Sequence, residues 1–316
     1  MKIYLELPEE SRGIGRVYTA LAARLPEGWE LTKDSMEADH IVLHIVGRHD
    51  QNLRKAQWCK KYNIPYSVIQ YCLRSTKNPN TADWFEIWKD ARTVWSYYDL
   101  RQALADDGHE LEKTPNFYLA PLGVDTKVFK DRNKTGSCKV CGEVYDNHID
   151  KKHDFFPSRK YSILASSQHA LSESARECVL ASQEVGREMV FLGHELRRGS
   201  DVVCISGISD IELSDLYSHC EFVSGLRRIE GFELPAIEGL MCGARPVFFD
   251  KPHYRLWFDG IAEFIPEGTR EEVVESLKQL FLKGTLPVSS GEKAFAKQLF
   301  NWDTIVEGFW KKSQLI

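Results

Sequence analysis

Short apolar runs alternate with amphipathic stretches along the chain. In the first part, strand-like runs fall at 2–7, 40–46, 66–71, 93–96 and 117–120, with helical spacing of apolar positions at 17–25 and 53–62. Strands that alternate with helices predict a parallel sheet joined by right-handed crossovers. The second part repeats this grammar, with strands predicted at 161–165, 189–192, 202–205, 222–224, 245–249 and 262–264. Two helix starts there carry capping boxes, Ser209-Asp-Ile-Glu212 and Thr269-Arg-Glu-Glu272, in which two side chains satisfy free backbone N–H groups. After the second, Val273, Val274, Leu277, Leu280 and Phe281 fall on one helical face. The expected class is α/β, with two doubly wound domains in tandem. Residues 127–160 fit neither pattern; they are polar, rich in Lys and Asp, and read as a linker carrying an insert. The predicted boundaries are 1–126 for the first domain, 134–156 for the insert and 157–302 for the second domain. A C-terminal helix at 303–316 is expected to pack back on the first domain.

The length, 316 residues, suits two domains of roughly 150 residues each. Apolar residues make up 43% and charged residues 28%, a balance that excludes a disordered, collagenous or disulfide-stapled chain. No apolar run reaches the roughly 18 residues of a membrane span. The opening stretch, Met1-Lys-Ile-Tyr-Leu-Glu-Leu7, alternates like a strand and not like a leader, so a cytoplasmic protein is expected. Eight Cys are too sparse for a disulfide framework, and a cytosolic chain keeps them reduced. Cys59, Cys72, Cys178, Cys204, Cys220 and Cys242 read as buried thiols, and Trp58, Tyr62, Trp84, Trp88, Trp95, Tyr97 and Tyr98 mostly as core.

The net charge of −5 argues against a protein that coats nucleic acid, yet the charge is uneven. Between Arg48 and Arg92, nine Lys and Arg face four acids; between 201 and 250, nine acids face three Arg. The first imbalance is either a solvated face or a basic acceptor surface.

The strongest chemical signal is Leu226-Arg-Arg-Ile-Glu230-Gly-Phe-Glu-Leu-Pro-Ala-Ile-Glu238-Gly-Leu-Met-Cys-Gly243-Ala-Arg-Pro246-Val247. It follows a predicted strand and enters a helix near Pro235, where proline is favoured because its missing N–H would be unpaired anyway. A glycine-bearing loop that opens a helix offers free N–H groups and a positive dipole end to a phosphate. Two carboxylates, Glu230 in the loop and Glu238 in the helix, bracket that turn; one could hold a sugar ring and the other a ribose.

With this spacing the sequence resembles the retaining, nucleotide-sugar-dependent glycosyltransferases of the GT-B fold, which carry a Glu-x7-Glu motif. Three other segments are similar to the family: Val203–Leu216 before the motif, Pro121-Leu-Gly-Val-Asp125 at the hinge, and Ser11-Arg-Gly13-Ile-Gly15-Arg16 as the first glycine loop. The resemblance implies two Rossmann-like domains facing a cleft, and a hexosyl- or pentosyltransferase with metal-independent chemistry and a UDP-sugar as the first-choice donor. It implies that Glu230 contacts the donor sugar, that backbone groups of Gly231, Phe232, Glu233 and Leu234 meet sugar and phosphate, and that Glu238 binds the ribose. Arg228, Ser167 and Gly15 join the donor set, with Arg16, Lys60, Lys61 and Arg74 on the acceptor side. Two departures stand out. The Arg and Lys that the family places after the first strand of its second domain are missing from Ile163-Leu-Ala-Ser-Ser167-Gln-His-Ala-Leu-Ser-Glu-Ser, which leaves Arg227, Arg228, Arg197 or Arg198 to meet the phosphate charge. The family's histidine near the sugar also has no direct counterpart at 69–74; His44 and His49 are the substitutes at hand.

A second signal lies in the insert. Cys138, Cys141, His148 and His153 are spaced Cys-x2-Cys-x6-His-x4-His, a closed donor set for one structural zinc ion. Such a small lobe has too few apolar residues to fold alone, so metal binding would supply its folding energy.

Three functions follow from these features. One is sugar transfer to a hydroxymethylated pyrimidine in phage DNA, which the insert and the basic, aromatic first domain favour, and which requires base flipping. Another is transfer to a glycan or small molecule. A third is a non-catalytic binding module, which the missing phosphate cations favour and the intact Glu230 and Glu238 oppose.

Overall fold

The computed structural model describes residues 1–6, 12–45, 49–71, 82–106, 116–134, 158–166, 173–193, 202–228 and 232–314. The chain divides into two units. The first gathers Met1–Gly123, Ile229–Phe232 and Asn301–Ile316; the second gathers Val124–Arg228 and Glu233–Phe300.

The first unit is built on a six-stranded parallel sheet of β1 (Lys2–Leu5), β2 (Glu30–Leu31), β3 (His40–Ile45), β4 (Tyr66–Gln70), β5 (Val94–Ser96) and β6 (Phe117–Leu119), in the order β2-β1-β3-β4-β5-β6. Every residue of β3 and β4 is buried, as expected for central strands covered on both faces. Strand order reverses between β1 and β3. The helices of this unit are α1 (Arg12–Ala22), α2 (His49–Lys61), α3 (Ala82–Trp88) and α4 (Leu100–Asp106).

The second unit repeats the plan with β7 (Tyr161–Ser166), β8 (Met189–Leu192), β9 (Val202–Ile205), β10 (Cys220–Ser224), β11 (Arg245–Phe249) and β12 (Glu263–Ile265), in the order β12-β11-β10-β7-β8-β9. Here the order reverses between β7 and β10, which neighbour one another although far apart in sequence. The helices are α5 (Ala175–Glu184), α6 (Asp210–Ser218), α7 (Leu234–Met241), α8 (Pro252–Phe258), α9 (Arg270–Lys283) and α10 (Ser290–Leu299). Ile163, Ala165, Phe222, Val247 and Phe249 of the sheet pack with Cys178 and Ala181 of α5 and with the predicted face of α9, Val273, Val274, Leu277, Leu280 and Phe281. A last helix, α11 (Trp302–Gln314), belongs to the first unit.

Most predicted elements form with shifts of one or two residues at their ends. Both predicted capping boxes are present, with Ser209 accepting from the Glu212 N–H and Thr269 from the Glu272 N–H. Three expectations change. Gly13, Gly15 and Arg16 do not form a loop; they lie in the opening turns of α1, where the Gly15 carbonyl accepts from Thr19 Oγ1 at 2.9 Å. Burial of Ile14, Val17 and Leu21 on one face outweighs the poor helix propensity of glycine. Cys204 is exposed, because β9 is an edge strand, whereas Cys59, Cys178, Cys220 and Cys242 are buried as expected. Among the aromatics, Trp84, Trp88, Trp95, Tyr97 and Tyr98 lie in the core, but Tyr62 stays exposed after the end of α2. Among the described residues, no helix is long and apolar enough to cross a membrane.

Candidate active site

In doubly wound sheets a ligand binds beyond the carboxyl ends of the strands where the strand order reverses. In the second unit that place is the end of β7 and β10. The chain leaves β10 through Ser224 and Gly225, and a side chain at Gly225 would collide with the Phe248 ring, so only glycine lets the backbone pass. The Gly225 N–H donates to the Val247 carbonyl at 2.9 Å, which ties the exit to β11.

Arg227 and Arg228 follow, and both engage carboxylates. Arg227 pairs backbone to backbone with Glu173 in an isolated antiparallel bridge, and its guanidinium Nη1 forms an ion pair with the Glu173 carboxylate. Its Nε lies 3.1 Å from Glu233 Oε2, and its Nη2 donates to Ser166 Oγ at 3.4 Å. Glu173 and Glu233 are buried, so the arginine supplies the compensating charge that buried carboxylates require. Arg228 stacks on the Phe249 ring, with its guanidinium carbon 5.1 Å from the ring centroid. It reaches Glu267 at 3.4 Å and the Gly268 carbonyl at 3.2 Å, with Glu177 at 4.0 Å. Lys251 joins this group at 2.9 Å from Glu267 and donates to the Arg228 carbonyl at 3.0 Å.

Glu233 is the N-cap residue of α7, yet its side chain makes no cap hydrogen bond, and a proline stands in the first turn. Leu234 opens the helix, and Glu238 lies one turn further on, 2% exposed. Helix α5 likewise starts without a side-chain cap: its N-cap Ser174 holds a buried hydroxyl that bonds nothing. By contrast α6, α9 and α10 each close with a full capping box. Uncapped helix starts keep N–H groups and the positive dipole end for an anion.

The predicted site residues therefore fall into three groups. Glu233, Leu234 and Glu238 lie together in the opening turns of α7 in the second unit, and Arg228 of the same unit is directed instead to Glu267 and the Gly268 carbonyl. Phe232 belongs to the first unit, buried with its ring 5.4 Å from that of Tyr97. Gly15, Arg16, Lys60 and Lys61 are also in the first unit; Lys60 forms an ion pair with Asp90 at 2.9 Å, and the Lys61 ammonium sits 5.2 Å from the Tyr62 ring centroid. Glu230, Gly231, Ser167, Arg74, Arg197 and Arg198 lie outside the described residues, as do the four predicted zinc ligands Cys138, Cys141, His148 and His153. No group of three or more His, Cys, Asp or Glu able to hold a metal occurs among the described residues. Sequence reasoning missed Ser166, Glu173, Glu177, Lys251 and Glu267. The one signal was the acidic balance of 201–250, which implies that its few arginines are already matched by carboxylates.

In the first unit the reversal lies between β1 and β3, where Glu6 pairs with Lys55 at 2.5 Å and His44 Nδ1 lies 2.7 Å from the Tyr71 hydroxyl.

Comparison with solved structures adds to this geometry. Sucrose-phosphate synthase from Thermosynechococcus elongatus matches over 99% of this chain and 98% of its own, with a TM-score of 0.68 and 12% identity. HepE from Anabaena, solved with UDP and glucose, matches over 100% of this chain and 99% of its own, with a TM-score of 0.71 and 12% identity. The fold is GT-B. The pneumococcal O-GlcNAc transferase GtfA, solved with UDP and GlcNAc, matches over 87% of this chain and 56% of its own, with a TM-score of 0.56 and 16% identity. No protein-family model matches the chain, and no curated protein matches its sequence.

Proposed function

We propose that the protein is a glycosyltransferase that moves a sugar from a nucleotide diphosphate donor, a UDP-sugar first, to a hydroxyl of an acceptor with retention at the anomeric carbon. The observation that carries this reading is the start of α7 at the β7/β10 reversal: a proline-opened, uncapped helix with Glu238 one turn inside. HepE is solved with UDP-glucose on the same fold, which supports a UDP-sugar as the donor. In this reading the N–H groups at the start of α7 meet the donor phosphate, Glu238 binds the ribose and Glu230 holds the sugar. Catalysis is then positioning of donor and acceptor and stabilisation of the leaving diphosphate.

For the acceptor we place a glycan or small-molecule hydroxyl ahead of duplex DNA. Two lysines of the basic stretch, Lys55 and Lys60, already face Glu6 and Asp90, which lowers the charge available to a phosphate backbone. A structural zinc on Cys138, Cys141, His148 and His153 belongs to this reading on spacing alone and takes no part in the transfer step.

The test is mass spectrometry of transfer products, with nucleotide sugars offered against a glycan panel and hydroxymethylated DNA. Glu238→Ala is expected mainly to raise the donor KM, since ribose contacts persist from ground to transition state; Glu230→Gln is expected mainly to lower kcat. Wild-type turnover in both variants would remove the site assignment, and no product from any donor would favour a binding module.

A further inference from the structure

A nucleotide diphosphate carries its charge on the leaving group, and the cations that meet it in the resembling family are absent after β7. The sequence from Ser167 to Ser172 holds no Arg or Lys, Glu173 is an acid, and the next Arg, Arg176, is exposed on α5. The structure brings a cation to this place from another loop. Arg227 leaves the end of β10, crosses to β7 and sets its guanidinium against Ser166 Oγ, on the last residue of that strand, at 3.4 Å. It thus stands at the strand-order reversal itself, between the uncapped starts of α5 and α7.

We propose, resting on the nucleotide-sugar reading above, that Arg227 is the phosphate-binding cation of this protein. Three features support this. A guanidinium has five N–H donors in a fixed fork. Among the described residues Glu173, Glu233 and Ser166 take one each, which leaves two for a phosphate, a group that guanidinium groups bind in bidentate fashion. The two carboxylates are buried and lock the fork, so little side-chain entropy is lost when an anion binds. Finally, Arg228, the other candidate, is stacked on Phe249 and directed to Glu267 and the Gly268 carbonyl, which leaves it at the rim of the β11 and β12 ends.

Because two carboxylates flank one guanidinium, the triad carries a net negative charge, which distinguishes a phosphate-binding role from a structural one. A structural clamp loosens when any member is changed. A phosphate-binding cation strengthens when a flanking acid is neutralised.

The experiment is calorimetric titration of the full chain with UDP, GDP and ADP, and with uridine, guanosine and adenosine. The variants are Arg227→Lys, Glu173→Gln and the double variant E173Q/R227Q, which removes the Glu173 ion pair as a neutral exchange and leaves Glu233 as the one acid of the triad without its guanidinium. Arg227→Lys and the double variant are expected to weaken the preferred diphosphate by about ten- to a hundred-fold, the value of one charged hydrogen-bonding group, with nucleoside binding unchanged. Glu173→Gln is expected to tighten the diphosphate by about two- to five-fold. Wild-type diphosphate affinity in the double variant overturns the assignment to Arg227 while leaving the donor reading intact. Weaker binding in Glu173→Gln also overturns it, in favour of a structural clamp. A wild-type protein that binds none of the three diphosphates overturns the donor reading itself.

Discussion

His40 and His44 stand four residues apart on β3, both buried. His40 Nε2 lies 3.0 Å from Ser67 Oγ, and His44 faces the Tyr71 hydroxyl. Burial lowers both titrations: to about 4 for His40, with the Arg92 charge adding to the effect, and to about 3 for His44, with Lys55 adding to it. Unfolded histidines titrate near about 6.5. Between that value and the lowered ones the unfolded chain binds more protons than the folded one. Stability is therefore full above about pH 6.5 and falls with pH by about 1.4 kcal/mol per unit for each histidine. Urea unfolding between pH 7 and 5 should show this slope, and His44→Gln should remove about half of the histidine part. An unchanged slope would mean that His44 is not held neutral. The site shows the same limit of sequence reading at this scale. The motif named Glu233, Arg228 and Glu238, because their types and spacing carry chemistry. The ion-pair partners Glu173 and Glu267 come from loops far along the chain, and only the folded sheet brings them near.

Secondary structure was most legible where local chemistry and burial agree. The central strands β3 and β4 are buried at every position, and their apolar centres, Ile41-Val-Leu43 and Val68-Ile69, stand out in the sequence. The two-residue edge strand β2 is exposed and has no pattern to read. At the start of α1 two glycines suggest a loop, but the buried face of Ile14, Val17 and Leu21 holds the segment helical. A third capping box, Ser289 with Glu292 at the start of α10, has the same Ser/Thr-x-x-Glu spacing as the other two, but Gly291 within it masks the helix in the sequence. Ser209→Ala, Thr269→Ala and Ser289→Ala should each cost about 1 kcal/mol in chemical denaturation. Ser174→Ala should cost almost nothing, because the Ser174 hydroxyl caps no N–H and has no hydrogen-bond partner. Equal losses at all four positions would show that the distinction between capped and uncapped starts is false.

At the scale of the whole molecule, the first unit is not continuous in sequence: its last helix comes from the far end of the chain. Tyr118 Oη donates to the Ile305 carbonyl at 2.8 Å, and the Asn116 side-chain amide donates to the Lys312 carbonyl at 3.0 Å. Ser313 Oγ lies 3.1 Å from Ser67 Oγ, within the chain of contacts that includes His40. A side chain at Gly308 would collide with the Tyr118 hydroxyl, so glycine there lets α11 lie close to β6. Ile305, Val306, Phe309 and Trp310 are all buried. Burying large apolar side chains stabilises by about 1.5–3 kcal/mol each. Four of them amount to a large part of the roughly 5–15 kcal/mol by which a whole domain is stable. Residues 1–123 alone should therefore lack a cooperative thermal transition by circular dichroism, although they contain every strand of their sheet. Adding a peptide of residues 300–316 should restore the transition, with a midpoint that rises with peptide concentration, since a ligand that binds only the folded state stabilises it by mass action. The same peptide with Phe309→Asp should fail to do so, because the charge would enter the apolar space against Trp95, whose ring centroid lies 5.5 Å away. Cooperative unfolding of 1–123 without the peptide would show that the sheet and its four sequential helices suffice, and that α11 only covers a unit already stable.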